Sequence, residues 1–276
     1  LKNYHEILFP YAYNILGSSE DAKDTIQDIL VKYLVIDKKH IKNEVGYLIK
    51  SVINQSINLK NRKKKTTNTN VWLPEPISTE TADHIIHQNE ILSYSILTLL
   101  EKLTAKERAV FILKEAFDYS HKEIAETIDF TIENSRKILS RSKSKLNKHK
   151  TKNHKIQKNE TQNLQRYIVA MQKGDLTALE RLLSKDIVLA ADGGKDIKVV
   201  RELTTGITDT SKLLLYVYRA FLSGLEIKYS VINHQAALLF FKNEILHNCQ
   251  VFEFNKTKIT GIFSIVDANK LKSLSL

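Results

Sequence analysis

Cysteine is nearly absent from this chain. Its one thiol, Cys249, has no second cysteine to pair with, which excludes an intrachain disulfide and any multi-cysteine metal site. The residue lies in an apolar, strand-like stretch, where a buried inert thiol is expected. Proline and glycine are scarce too, three and eight in 276 residues, and that scarcity favours long helices over a turn-rich all-β fold. No uninterrupted apolar run approaches the roughly 20 residues that span a bilayer. Leu1 to Gly17 has neither the basic start nor the cleavage site of a secretion signal. A cytoplasmic protein without membrane contact is therefore expected. The chain opens on Leu1 rather than Met, so a few residues are expected to precede it. Hydrophobic residues make up 42%, enough for packed cores in two or three domains.

What is plentiful is positive charge, and it is concentrated. Lys60, Arg62, Lys63, Lys64 and Lys65 place five cations in six residues, and Arg136 to Lys158 holds ten Lys/Arg with no Asp/Glu. These two segments outweigh the net charge of +11, so the remainder is net acidic. Local basicity of this kind suits a docked phosphate backbone. Solvated flexible runs or membrane-surface patches are the plain alternatives.

Residues 1 to about 62 read as helices. One runs from Leu1 to Leu16 and stops at Gly17. Ser18 or Ser19 caps the next, with Glu20 and Asp21 in its first turn and Ala22, Ile26, Ile29, Leu30 and Tyr33 as its apolar stripe. A third covers about Glu44 to Arg62. Residues 63 to about 87 read as a linker, polar at first, then Val71-Trp72-Leu73-Pro74-Glu75-Pro76. The chain's one Trp, held in a stiff extended segment, suggests docking rather than a free tether. Helices resume over 88–148, with Thr104 and Glu107 spaced as a capping box. After about Asn159 the pattern changes. Short helices at Leu164–Met171 and Leu176–Leu183 precede a strand at Ile187–Ala191 and the loop Asp192-Gly193-Gly194-Lys195. A helix near Ser211–Leu222 leads to strands at Leu225–Ile232, Ala236–Lys242, Ile245–Phe254 and Lys258–Val266. Helices followed by an antiparallel meander make an α+β domain.

The sharpest pattern lies between Tyr119 and Leu146. Ile124, Ala125 and Ile128 form the inner face of one helix, Ile128-Asp129-Phe130-Thr131 the turn, and Thr131 the cap of a second. Asp129 stands where a positive φ is needed, which Asp tolerates better than most residues. Ser135, Leu139, Ser142 and Leu146 face inward, so Arg136, Lys137, Ser140, Arg141 and Lys143 point out. This is a helix-turn-helix whose second helix offers cations and small donors to a major groove. Two bundle helices with a solvated basic face would share the pattern.

Lys102-Leu-Thr-Ala-Lys-Glu-Arg-Ala-Val-Phe-Ile-Leu113, His121-Lys-Glu-Ile-Ala125 and Ile138-Leu-Ser-Arg-Ser-Lys143 resemble region 4 of the extracytoplasmic-function (ECF) sigma factors. Ile15-Leu-Gly-Ser18, then Glu20-Asp-Ala22, Asp24 and Gln27-Asp28, resemble their region 2. So do Tyr47-Leu-Ile49, Val52-Ile-Asn54 and Lys60-Asn-Arg62. Trp72-Leu-Pro-Glu-Pro76, Asp192-Gly-Gly-Lys195 and Asn233-His-Gln-Ala-Ala-Leu238 are similar to the subgroup with a fused SnoaL-like domain. Asn58 departs from the family's usual Asp, and the glycine run before Lys195 is one Gly short.

The resemblance implies a multidomain protein. Two all-α sigma domains, a region 2 bundle at 1–65 and a region 4 helix-turn-helix at 88–150, flank a linker at 66–87. A C-terminal α+β cone, nuclear-transport-factor-like, follows at 159–276. Asp21, Asp24, Gln27 and Asp28 share one helical face and would bind the clamp helices of the polymerase β′ subunit. Lys50, Asn54, Lys60, Asn61 and Arg62 would hold the −10 strand, where Asn can read unpaired edges and cations hold phosphates. Arg136, Lys137 and Ser140, with Arg141 and Lys143, would contact the −35 element. The partners are then core RNA polymerase and promoter DNA, with no cofactor and no metal. The C-terminal domain would regulate, not catalyse, and can hold a small ligand. Within it Asp192, His234 and His247 are the only candidates for acid–base work, and their spacing marks no pair. Trp72, Pro74, Glu75 and Pro76 are expected to dock near Asp192, Gly193, Gly194 and Lys195, with Lys195 meeting Glu75. A ligand-sensing helix-turn-helix regulator that acts without polymerase is the other reading. A SnoaL-like enzyme with a DNA-binding appendage is a distant third.

Overall fold

The computed structural model describes residues 4–64, 72–79, 90–146, 158–197, 199 and 203–274. Lys65, the polar first half of the linker, residues 80–89 and the basic run beyond Leu146 lie outside the described residues, as does the start expected for the helix near 88.

The chain divides into two bodies. One comprises residues 1–68, 82–92 and 96–153; the other comprises 69–81, 93–95 and 154–276. The first is helical. Helix α1 (Tyr4–Leu16) ends at Gly17, whose φ of 74° no β-carbon would tolerate cheaply. Ser18 accepts from the Asp21 N–H and so caps α2 (Ser19–Val35). Helix α3 (Glu44–Lys64) completes a bundle around Leu8, Ile15, Ile26, Leu48 and Ile53. Helix α4 (Tyr94–Leu100) leads to α5 (Ala105–Glu115), and the capping box at Thr104 and Glu107 is present in full. Helices α6 (His121–Ile128) and α7 (Ile132–Lys145) follow.

These two helical groups share one body. Helix α3 packs on both α5 and α6. Tyr11 of α1 stacks on Phe117, with centroids 3.9 Å apart. Arg108 of α5 is fully buried and donates from Nε to the Asn14 carbonyl at 2.8 Å and from Nη1 to Glu101. A buried guanidinium is tolerable only with such partners, since an unpaired charge costs several kcal/mol, roughly 3–5.

The second body is α+β. Helices α8 (Lys158–Lys173), α9 (Leu176–Leu182) and α10 (Ile207–Val217), the last running into a π-helical turn at Tyr218–Leu222, belong with a six-stranded sheet. Its strands are β1 (Leu183–Asp192), β2 (Thr204–Thr205), β3 (Glu226–Ile232), β4 (Gln235–Lys242), β5 (Ile245–Asn255) and β6 (Lys258–Ile265), in the order β2-β1-β6-β5-β4-β3. The meander β3 to β6 is antiparallel, as the spacing predicts. Asn233 and His234 both hold positive φ in its first tight turn.

Two features differ from the sequence expectation. Strand β1 begins at Leu183 and pairs parallel with β6, and the two-residue β2 lies along its other edge. Register shifts in three of the strand pairs curl the sheet. Burial along β4 is unbroken from Ala236 to Phe241, the mark of a strand covered on both faces. One face packs on Tyr167, Leu179, Leu214 and Phe252. The other meets Leu73, Tyr94, Phe263 and Leu271, so linker residues and the C-terminal helix α11 (Ala268–Leu271) cover it.

Candidate nucleic-acid interface

The helix-turn-helix is built by its caps. Ser120 and Glu123 form a capping box on α6, and Thr131 accepts from the Asn134 N–H to start α7. Asp129 between them has φ 61° and ψ 55°, the left-handed conformation the turn demands. The two helices are tied by His121 Nδ1 and Ser135 Oγ at 2.9 Å. Partial burial lowers the pKa of His121, and the Lys114, Arg136 and Lys143 cations lower it further. Ser135, Leu139 and Ser142 are buried, whereas Arg136, Lys137, Ser140, Arg141 and Lys143 are all exposed on the opposite face. Lys143 pairs with Glu115 at 2.7 Å, which leaves α7 with a mostly unneutralised basic ridge.

On α2, Asp24, Gln27 and Asp28 are exposed on one face. Asp21 differs from them: it is half-buried, and the Lys63 ammonium, from the end of α3, lies 2.6 Å from its carboxylate.

On α3 the expected strand-binding residues fall into two groups. Asn61 and Arg62 are exposed. Lys50, Asn54 and Lys60 are engaged within the same body. Lys50 Nζ donates to the Glu126 carbonyl at 2.5 Å, and Asn54 Nδ2 donates to the Thr127 carbonyl at 2.9 Å. Lys60 Nζ donates to the Leu16 carbonyl at 3.0 Å and to both Glu101 carboxylate oxygens at 3.1 Å. Burial alone would raise the pKa of Glu101, but Arg108 and Lys60 hold it below the usual carboxylate value. Asn58 is exposed on the same helix.

The linker segment lies on the C-terminal sheet. Leu73 is fully buried, its N–H donates to Asp192 Oδ2 at 2.7 Å, and its carbonyl accepts from Lys270 Nζ at 2.5 Å. Lys270 Nζ also reaches Asp192 Oδ2 at 2.6 Å and sits 4.2 Å from the centre of the Trp72 ring. Tyr94 Oη donates to the Pro74 carbonyl at 2.6 Å, and Ser273 Oγ to that of Pro76 at 3.0 Å. Ile77 and Asn233 exchange two hydrogen bonds, and Ser78 bridges to Ile232, so the segment continues beside β3.

The cation of this dock is Lys270, not Lys195, which is exposed. Sequence reasoning missed Lys270 because it lies in a short polar helix with no periodic pattern. The glycines also serve another neighbour than expected. Gly194 has φ +65°, and a β-carbon there would meet the Asp267 carboxylate at 2.4 Å. The loop therefore accommodates the cap of α11, with the Gly194 N–H donating to Asp192 Oδ1 at 2.9 Å. Of the three acid–base candidates, Asp192 is committed to Lys270 and Leu73. His234 occupies the β3–β4 turn, with its N–H on Thr79 Oγ1, and His247 is exposed on β5. Among the described residues no group of three His, Cys, Asp or Glu could hold a metal ion. None of their helices is long and apolar enough to cross a membrane.

Residues 93–146 match the family model described as Sigma-70, region 4. Over 274 residues the chain is 23% identical to the Mycobacterium tuberculosis protein named "Probable ECF RNA polymerase sigma factor SigI", covering 97% of this chain and 92% of that protein. It is 26% identical over 204 residues to SigJ of the same organism, covering 70% of this chain and 64% of SigJ. The crystal structure of M. tuberculosis SigJ superposes with a TM-score of 0.78 at 18% identity, covering 98% of this chain and 96% of that one, a likeness of fold. A region 4 match on the helix-turn-helix, with relatives aligned through both helical groups and the α+β tail, makes this chain similar over nearly its whole length to the ECF RNA polymerase sigma factors.

Proposed function

We propose that this sigma factor recruits core RNA polymerase through α2, holds the −10 strand on α3 and reads the −35 element with α7. One observation carries the reading: a complete helix-turn-helix presents Arg136, Lys137, Ser140 and Arg141 to solvent on a single face, next to Lys143. Guanidinium and ammonium groups on a helix of that kind can reach phosphates and the acceptor edges of guanine. On α2, Asp24, Gln27 and Asp28 supply an acidic face for the β′ clamp helices. Asp21 contributes only when Lys63 releases it. On α3, Lys50, Asn54, Lys60, Asn61 and Arg62 are the strand-facing set. The protein would act in the cytoplasm, where its polymerase and promoters are.

The C-terminal domain, a SnoaL-like cone by resemblance, acts here as a regulator rather than an enzyme. Its sheet holds the Trp72–Pro76 segment through Asp192 and Lys270, so Trp72, Pro74, Glu75, Pro76 and the loop Asp192, Gly193, Gly194, Lys195 form the regulatory element. A docked linker sets how much chain is free between the two DNA-binding regions, and hence which promoter spacing is accepted. A signal that loosens the dock would shift the population between two arrangements.

The test is retention on immobilised core polymerase. The double variant Asp24→Lys, Asp28→Lys should lose retention while its helical circular dichroism stays that of the parent, because both carboxylates are exposed. Undiminished retention would remove α2 as the polymerase-binding helix.

A further inference from the structure

We propose that Glu133, at the leading end of α7, is a specificity-determining residue of the −35 contact, where its carboxylate accepts a hydrogen bond from the amino group of a cytosine. This rests on the reading of α7 as the helix that enters the major groove.

Glu133 is the one acid of α7, in a helix that otherwise carries Arg136, Lys137, Arg141, Lys143 and Lys145. It is exposed, and among the described residues its carboxylate has no ion-pair or hydrogen-bond partner. Four other acids of this helical group are occupied. Glu101 is held by Lys60 and Arg108, Glu107 by Lys145 and the Thr104 N–H, Glu115 by Lys143, and Glu123 by the Ser120 N–H.

The buried Ser135, Leu139 and Ser142 mark the inner face of α7. At about 100° per residue, Glu133 falls nearly opposite that face. Arg136 and Lys137, three and four residues on, flank it on the next turn, and Ser140 follows at seven. The N-terminal residues of a recognition helix are the ones that meet base edges. Phosphates would keep a lone carboxylate out of the groove. The two flanking cations offset that repulsion, so the acid is carried in with them.

The groove then names the base. A carboxylate only accepts. Guanine shows the acceptors N7 and O6, thymine shows O4 and a methyl group, and adenine sets its N6 donor beside the N7 acceptor. Cytosine alone shows an amino donor with no acceptor next to it. Glu133 therefore selects cytosine and rejects guanine and thymine by repulsion. The cations of α7 do not make this choice, because Arg and Lys seek acceptors. The competing role for Glu133 is local: an acid in the first turn complements the helix dipole. That role moves stability and output on every promoter alike, whereas readout moves one position of the site.

The experiment uses the full chain with core RNA polymerase. The template is the DNA upstream of its own gene with the −35 region randomised, and transcripts are counted by sequencing. The parent should prefer cytosine at one position by about tenfold. Glu133→Gln should move that preference to adenine, whose N6 and N7 an amide can bridge, and Glu133→Ala should erase it. The other positions should keep their preferences in both variants. A base profile identical in parent, Glu133→Gln and Glu133→Ala, whatever happens to total output or unfolding temperature, would overturn the proposal and leave Glu133 as a dipole partner. Arg136→Ala and Lys137→Ala are run alongside. If they reshape the profile and the Glu133 variants do not, only this proposal fails. If none of the four reshapes it, α7 is removed as the −35 helix and the proposal goes with it.

Discussion

Lys270 carries an ammonium into a place with little water, and its surroundings account for that. Asp192 neutralises it, the Leu73 carbonyl accepts from it and the Trp72 face lies beside it. Removing one partner of a buried pair leaves the other uncompensated, at a cost of about 3–5 kcal/mol. Lys270→Met should therefore lower the unfolding temperature of the C-terminal domain and release the linker. Trp72 is the chain's only tryptophan, so release is read directly as a red shift of its fluorescence. The double variant Lys270→Met, Asp192→Leu should lose less stability than the single changes summed, because no lone charge is left behind. An unshifted emission spectrum in Lys270→Met would mean that the segment docks without its cation. Trp72→Ala removes less buried charge and more docking surface. It should change transcriptional output more than the unfolding temperature, and equal output in variant and parent would dissociate the dock from regulation.

At the scale of elements, what was legible in the sequence is what local chemistry decides. Thr104 with Glu107, Thr131 and the strained position of Asp129 each announce a helix end within a few residues, and each is found there. The parallel pairing of β1 with β6 was not legible, since its apolar pattern suits either neighbour and the partners lie some seventy residues apart. The pairing of Lys60 with Glu101 was hidden for the same reason: a charged residue on α3 and another in the turn after α4 carry no mark of their meeting. Glu101 makes that seam sensitive to pH. Its folded pKa lies below the usual carboxylate value, so its stabilising effect is complete above the ordinary glutamate range and is lost as the pH falls through the folded value. Glu101→Gln should unfold well below the parent at about pH 7, and the two curves should converge as the pH falls through the folded pKa of Glu101. A gap that does not narrow in acid would assign its effect to shape, not charge. On α7, Arg136→Ala and Lys137→Ala should each weaken duplex promoter binding by about 1–3 kcal/mol where they contact a base. Footprints indifferent to both would place the recognition surface elsewhere.

For the whole molecule, the central claim is that one chain joins a polymerase-binding helix, two DNA-binding regions and a domain that holds the linker between them. A repressor built on the same helix-turn-helix would need neither the acidic face of α2 nor a strand-binding α3. The most direct measurement is transcription in a purified system, with core RNA polymerase, this chain and the DNA upstream of its own gene. The account predicts a transcript from a defined start that depends on the chain, and that disappears with Asp24→Lys, Asp28→Lys while duplex binding by α7 persists. Duplex binding with no transcript and no retention on core polymerase would contradict it.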